Sequence, residues 1–419
     1  MKSEQNRVII IGAGIAGTFA ALYLNRKGYE VTLVDRQSGT ENCSYGNAGM
    51  IVPSHIIPLA SPGIISKGLR WMLNAESPFY VKPRLSLDLL RWGWEFKKAS
   101  TGRHVDECAP VLMDLLMETR ELLVALEQEE SLSFDLQKRG LFMFCQTEKE
   151  LENERRTTER AKSLGMPAEI LTPDEVKEKE PNLEIDIIGA SWYPKDAHLH
   201  PGALMEGVKK VLGERGVEFK PYTEITALQS ENGRVTAAVT QNNETLKGRH
   251  FLLCTGAWSA SLIRSAGIRL PMQGGKGYSI SLKEPPKMPV NCGILAEAKV
   301  TMTPMFDILR FGGTMEIAGN DMSVTPKKLL GLKKSVCRYL PDFRMEHLEG
   351  HDVWAGLRPC TPDGMPYVGR LGSLENLYCS TGHAMMGMSL GPSCGHRIAS
   401  LIAGEKTNLS PKVDPNRFS

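Results

Sequence analysis

Val8-Ile9-Ile10-Ile11 is an unbroken β-branched run, the pattern of a parallel strand buried on both faces. Glycines punctuate positions 12–17, and apolar residues then recur at helical spacing from Thr18 to Lys27. A second strand, Glu30-Val31-Thr32-Leu33-Val34, ends on Asp35. The middle of the chain predicts a helix over 105–129, a strand over 140–144 and a charged helix over 148–164. Pro201 to Arg215 reads as a helix with proline in its first turn, where the missing N–H costs nothing. Residues 217–228 and 235–240 alternate as strands joined at Asn232-Gly233. His250 to Cys254 is again strand-like and runs into the small-residue turn Thr255-Gly256-Ala257-Trp258-Ser259. Small residues also crowd Ser380 to Ser389, where a closing helix begins.

The chain has 419 residues, 42% hydrophobic and 23% charged, enough for two ordinary globular domains. Lys+Arg 50 against Asp+Glu 48 leaves a net charge of +2 with no block of like charge, so no nucleic-acid partner is expected. Nine cysteines, an odd number without a C-x-x-C pair, read as reduced thiols. His198 and His200 lack a third ligand at useful spacing, and no metal is expected. The N-terminus carries Lys2, Glu4 and Arg7 and passes straight into the first strand, unlike a signal peptide. No apolar stretch reaches the length of a membrane span, so a cytoplasmic location is expected. Trp71, Trp92 and Trp94 alternate with Arg70, Arg91, Lys97 and Lys98. They form either a membrane-facing or partner-facing patch or, the preferred reading, buried helix faces with basic edges in solvent.

Strand, then Gly12-Ala13-Gly14-Ile15-Ala16-Gly17, then helix is the context a dinucleotide cradle requires. Gly12 permits the tight turn, Gly14 lets a pyrophosphate approach the helix N-terminus, and Gly17 lets helix pack on strand. Asp35 is suited to the adenosine ribose. This motif alone does not separate FAD from NAD. The loop from Cys43 to Met50 and the turn at Thr255–Trp258 offer backbone N–H groups and short side chains to a polar ligand. In the segment Trp354-Ala355-Gly356-Leu357-Arg358-Pro359, the arginine is either a fork for a carboxylate or a structural ion-pair partner.

Together these motifs resemble the D-amino-acid oxidase superfamily, most closely its bacterial D-amino-acid dehydrogenase branch, D-hydroxyproline dehydrogenase-like members included. The resemblance is carried by S-x-x-N-A-G at Ser44 to Gly49, then Pro53, Pro58, Ser61-Pro62 and Ser77-Pro78. Lys276-Gly277-Tyr278-Ser279, G-L-R-P-x-T-P-D-G-x-P from Gly356 and G-H-x-x-x-G from Gly382 complete it, over nearly the whole chain. It implies an α/β protein with a Rossmann-like FAD-binding domain (1–50, 201–265, 352–419). An α+β substrate domain (51–200, 266–351) would be built on a large mixed or antiparallel sheet.

By the same resemblance FAD would contact Gly12 to Gly17, Asp35, Arg36, Ser44, Asn47, Ala48, Gly49, Met50, Ile225, Thr255, Gly256, Ala257, Trp258 and Gly356. Gly382, His383, Met386, Gly387, Met388 and Ser389 would meet its flavin end. Arg358 would bind the substrate carboxylate, Tyr278 would stand in the pocket and His383 would contact flavin or tune protons. Relatives with covalent flavin carry a cysteine just before this arginine. Here Gly356 stands nearby and Cys360 follows, which implies dissociable FAD. Met385 and Met386 replace the second arginine of glycine oxidases, which argues against a glycine-sized substrate. The implied reaction is hydride transfer from Cα of a small amino or imino acid, proline or hydroxyproline of D configuration included. Its acceptor would be a quinone or other carrier. Alternatives are an oxidase using oxygen, a flavin-carrying subunit of a larger homo- or hetero-oligomeric assembly and, from the cradle alone, an NAD enzyme. Contact with the inner face of the membrane is compatible with these readings.

Overall fold

The computed structural model describes residues 6–419; Lys2 and Glu4 lie outside the described residues. The β-branched runs stack as a six-stranded sheet in the order 367–370, 377–381, 250–253, 7–11, 30–34, 218–220. Every neighbouring pair is parallel except Tyr367–Arg370 against Leu377–Thr381. Helices Ile15–Arg26, Pro201–Glu214 and Gly387–Ile402 bury their apolar faces in a core cluster that includes Val8 and Ile10. Burying such runs on both faces supplies most of the drive for this layer.

The second layer system is a nine-stranded mixed sheet. Strands Val353–Cys360, Gln273–Leu282, Ile308–Ile317 and Val300–Met305 form its antiparallel half. Cys292–Leu295, Leu141–Cys145, Gly189–Tyr193 and Glu169–Leu171 continue it, and Phe79–Val81 joins as the ninth strand, parallel to Ile308–Ile317. This α/β architecture, with one largely parallel and one mixed sheet as its main layers, is the fold class expected from the sequence.

The boundary at 352 does not follow the sheets, because Val353–Cys360 pairs along its length with Gln273–Leu282. Helix Gly102–Glu129, assigned to the second domain, packs on the closing helix and gives Leu112, Leu115 and Leu116 to the first core. Residues 217–228 are not one strand: Glu218–Lys220 ends before Pro221, and a new strand starts at Ile225. Proline breaks the run because it cannot donate to the ladder, and Tyr222 after it takes φ 51°. The turn at Asn232-Gly233 has φ 50° and 76°, which both central residues of a type I′ hairpin require.

All nine cysteines are free. His200 caps helix Pro201–Glu214 by accepting the Ala203 N–H at 3.0 Å, and His198 sits in a two-stranded ribbon with Met50. No described helix is long and apolar enough to cross a membrane.

Candidate active site

The two sheets meet around one cavity of about 1180 Å³, somewhat larger than the roughly 300–1,000 Å³ of pockets that enclose small organic ligands. One end is the glycine turn. Gly12 takes φ 107°, and a Cβ there would meet the Cys254 carbonyl oxygen at 2.5 Å. A Cβ on Gly17 would lie 1.9 Å from the Gly12 oxygen. Both glycines are therefore demanded by the fold itself. Gly14 is different. Its backbone, φ −75° and ψ −176°, suits any residue, and an added Cβ would touch only Ser44 Oγ at 3.4 Å. Chain packing does not require glycine at 14; a ligand lying against it does.

Asp35 accepts the Ala13 N–H at 2.8 Å and the Gln37 N–H at 2.9 Å, bracing the turn while still lining the cavity. Arg36 stacks on the Trp258 indole at 3.9 Å. Ile225, Thr255, Gly256 and Ala257 line the same end. Ser44 Oγ accepts the Ile15 N–H at 2.9 Å. Arg310 holds the Cys43 to Met50 loop, donating to the carbonyls of Tyr45 at 3.0 Å and Asn47 at 2.6 Å. Burial lowers its guanidinium to about 10. Ser279 secures the same loop through the Gly46 carbonyl at 3.0 Å, leaving Asn47, Ala48 and Met50 on the cavity wall.

Two helix N-termini open into this cavity, at Gly14–Ile15 and at Met386–Ser389; neither N-cap residue supplies a side-chain cap, and at the first only Ser44 Oγ takes an N–H, that of Ile15. Their remaining N–H groups and dipoles favour negative charge. Beside the second terminus, His383 is neutral, its imidazole pushed down to about 4 by burial. Its Nε2 is buried without a partner, as is the Ser380 hydroxyl. Ser389 Oγ donates to the Met50 carbonyl at 2.8 Å and so ties the terminus to the loop.

Arg358 projects from strand Val353–Cys360 over Gly277, where a Cβ would collide with its Nη1 at 2.0 Å. Nη1 donates to the Thr314 carbonyl at 2.6 Å. Among the described residues no carboxylate pairs with this guanidinium, and burial lowers its pKa. Trp354, two and four residues before Gly356 and Arg358 on the same strand face, lies across Gly356 and Gly46. It was not among the candidate residues.

The structure thus brings most of the sequence candidates to one wall. Ala13, Gly17, Gly49 and Gly382 stand behind it, shaping the backbone. Tyr278 lines the cavity, as expected, with its hydroxyl already engaged. That hydroxyl bonds Glu316 and accepts the Thr325 N–H at 2.9 Å. Burial and the Glu316 bond push it up to about 12.

At the far edge of the large sheet, Ser54 and His55 reach the cavity. The fully buried Asp196 accepts Ser54 N–H at 3.0 Å and Ser54 Oγ–H at 2.5 Å, yet burial pushes its carboxyl up from 3.8 to about 7. A raised acid pKa favours the protonated form in the folded state. Its contribution to stability is therefore full below pH 3.8 and is lost as pH rises through about 7. Asp196→Asn is expected to flatten the fall of unfolding free energy across that window, read by urea melts at each pH. Identical slopes would contradict this.

Residues 7–401 match the family DAO, FAD dependent oxidoreductase. The chain belongs to that family. It is 32% identical over 406 residues to a D-amino acid dehydrogenase of Rhizorhabdus wittichii, covering 96% of this chain and 97% of that one. It is 30% identical over 409 residues to a D-amino acid dehydrogenase of Granulibacter bethesdensis, covering 96% and 97%. Glycine oxidase from Geobacillus kaustophilus shares the fold, with TM-score 0.79, 22% identity and 99% of each chain covered. As a member of the DAO family the protein is an FAD-dependent oxidoreductase. Its residues fit that cofactor: a cavity of about 1180 Å³, a Gly14 that chain packing does not require, two helix N-termini facing the cavity and an unpartnered His383 Nε2.

Proposed function

We propose that this protein oxidises the C–N bond of a small D-amino or imino acid, cyclic secondary amines such as D-proline and D-hydroxyproline included. FAD, bound without a covalent link, supplies the two-electron acceptor. The observation that carries the reading is Arg358: a guanidinium on the cavity wall with a carbonyl for company and no acid. A structural ion-pair role would need an acid beside it. A substrate carboxylate satisfies the fork bidentately and fixes Cα relative to the rest of the site. Neutral His383 and the uncapped terminus at Met386–Ser389 favour negative charge on the neighbouring ligand edge. Positioning, rather than a strong base, is what these side chains provide. The names of the D-amino acid dehydrogenase relatives agree with this substrate class.

Anaerobic mixing with a panel of D- and L-amino and imino acids tests the reading. A D-substrate is expected to bleach the flavin band fastest, and a dye is expected to restore turnover that air does not. Bleaching by no member of the panel would sink the assignment, and stoichiometric peroxide would sink the carrier-linked acceptor.

An exposed apolar face supports a membrane-soluble carrier such as quinone. Helices Ile64–Met72 and Leu87–Ala99 roof the cavity. On and between them Leu69, Leu73, Leu85, Leu87, Leu90 and Trp94 are each at least 60% exposed. Only Trp92 of the three tryptophans is buried, so the preferred reading of that patch as buried faces holds for it alone. Asp88 and Glu95 are neutralised by Arg264 and Lys98, leaving Arg70, Arg91 and Lys97 as a cationic rim. Such a face suits an anionic bilayer surface. Sedimentation with phosphatidylglycerol vesicles is expected, weakened by salt and lost on changing Leu69, Leu73 and Leu90 to Ser. Equal recovery in the supernatant with and without vesicles would count against it.

A further inference from the structure

Around Arg358 the cavity wall is aromatic and apolar. Helix Leu87–Ala99 presents Trp92 and Phe96 one turn apart, their rings stacked with centroids 4.9 Å apart. Trp92 Nε1 donates to the Cys360 carbonyl at 2.9 Å. This fixes the indole against the strand that carries Arg358 two residues earlier. Met315, Ile317, Cys360 and Ala384 pack into the same cluster, with Phe79 and Leu59 against it. The guanidinium rests on the Thr314 carbonyl, immediately before Met315. Carboxylate fork and aromatic wall thus meet on the same two strands, the wall's helix being tied to them through Trp92 and Cys360.

Charge is distributed unevenly around the cavity. Asp35, Arg36, Glu41 and Glu224 line its dinucleotide end, while Glu154 and Lys299 line the far edge of the large sheet. On the strands that frame Arg358 and on the two roof helices, Arg358 is the single charged lining side chain among the described residues. The one polar atom of Trp92 is spent on Cys360, and Phe96 has none. A side chain extending from a carboxylate held at Arg358 meets a surface without a counter-ion or hydrogen-bond partner from these rings.

Resting on the function proposed above, we infer that Trp92 and Phe96 form the specificity-determining wall of the substrate site and select amino acids with one carboxylate and an apolar side chain. A second charge on the substrate would shed its water against this wall without compensation. An apolar side chain gains contact there, and a pocket of this kind separates substrates by roughly tenfold or more per methylene.

The test is anaerobic stopped-flow reduction of the holoenzyme by both enantiomers of alanine, leucine, methionine, phenylalanine, proline, glutamate and lysine. Within the reactive hand, the best apolar substrate is expected to exceed glutamate and lysine by at least about 100-fold in kcat/KM. Phe96→Ala and the milder Phe96→Leu, checked for bound flavin by absorbance, are expected to raise KM for leucine or phenylalanine about tenfold. Their limiting reduction rate should stay close to that of the parent, a split that general damage would not give. Glutamate or lysine within tenfold of the best apolar substrate, or an unchanged KM in both variants, overturns the inference while amino-acid oxidation stands. Failure of every amino acid of either hand to reduce the flavin overturns both readings.

Discussion

Arg358→Ala is expected to raise KM for the amino acid about 100-fold or more, equivalent to about 3 kcal/mol, while the protein stays yellow. Among the described residues the guanidinium's one hydrogen bond is to the Thr314 carbonyl, and burial already disfavours its charge. Removing a buried cation that lacks an acidic partner should leave the melting temperature unchanged or raised, since the protein loses a desolvation cost rather than an ion pair. Arg358→Lys should recover only part of the loss, because an ammonium cannot grip both carboxylate oxygens in one plane. Steady-state kinetics and a thermal melt check both halves. KM unchanged for every carboxylate substrate would refute the role.

Gly14→Ala should weaken FAD binding about tenfold or more and barely alter the apoprotein. The new methyl would touch Ser44 Oγ at 3.4 Å and otherwise occupy the cavity. Gly17→Ala is the contrasting case. Its methyl would press on the Gly12 carbonyl at 1.9 Å, so helix Ile15–Arg26 must shift, with an expected loss of about 1–3 kcal/mol of stability. Apoprotein urea melts and flavin titration separate these effects. Gly14→Ala binding FAD as tightly as the parent would show that no pyrophosphate lies against this turn.

The dinucleotide end was legible because its logic is local. One β-branched run, three glycines and an acid at the end of the next strand lie within 35 residues of the start. The proposed substrate end was less so. Arg358 stood out by its motif, but Trp92, Phe96, Thr314 and Met315 reach it from helices and strands far apart in sequence. No local pattern announces such a meeting. Tyr278 was placed in the pocket by resemblance and lines the cavity, its hydroxyl held by Glu316 and Thr325. Period-two alternation through Trp354, Gly356 and Arg358 would have found Trp354. Arg310 carried no signal, because its task is to hold backbone carbonyls of a loop some 260 residues earlier.

The most direct test is a crystal structure of the flavin-loaded protein with a competitive carboxylate inhibitor. The account predicts the inhibitor's carboxylate forked on Arg358, with the isoalloxazine between that residue and the helix terminus at Met386–Ser389. A carboxylate bound elsewhere, or a flavin ring remote from Arg358, would contradict it.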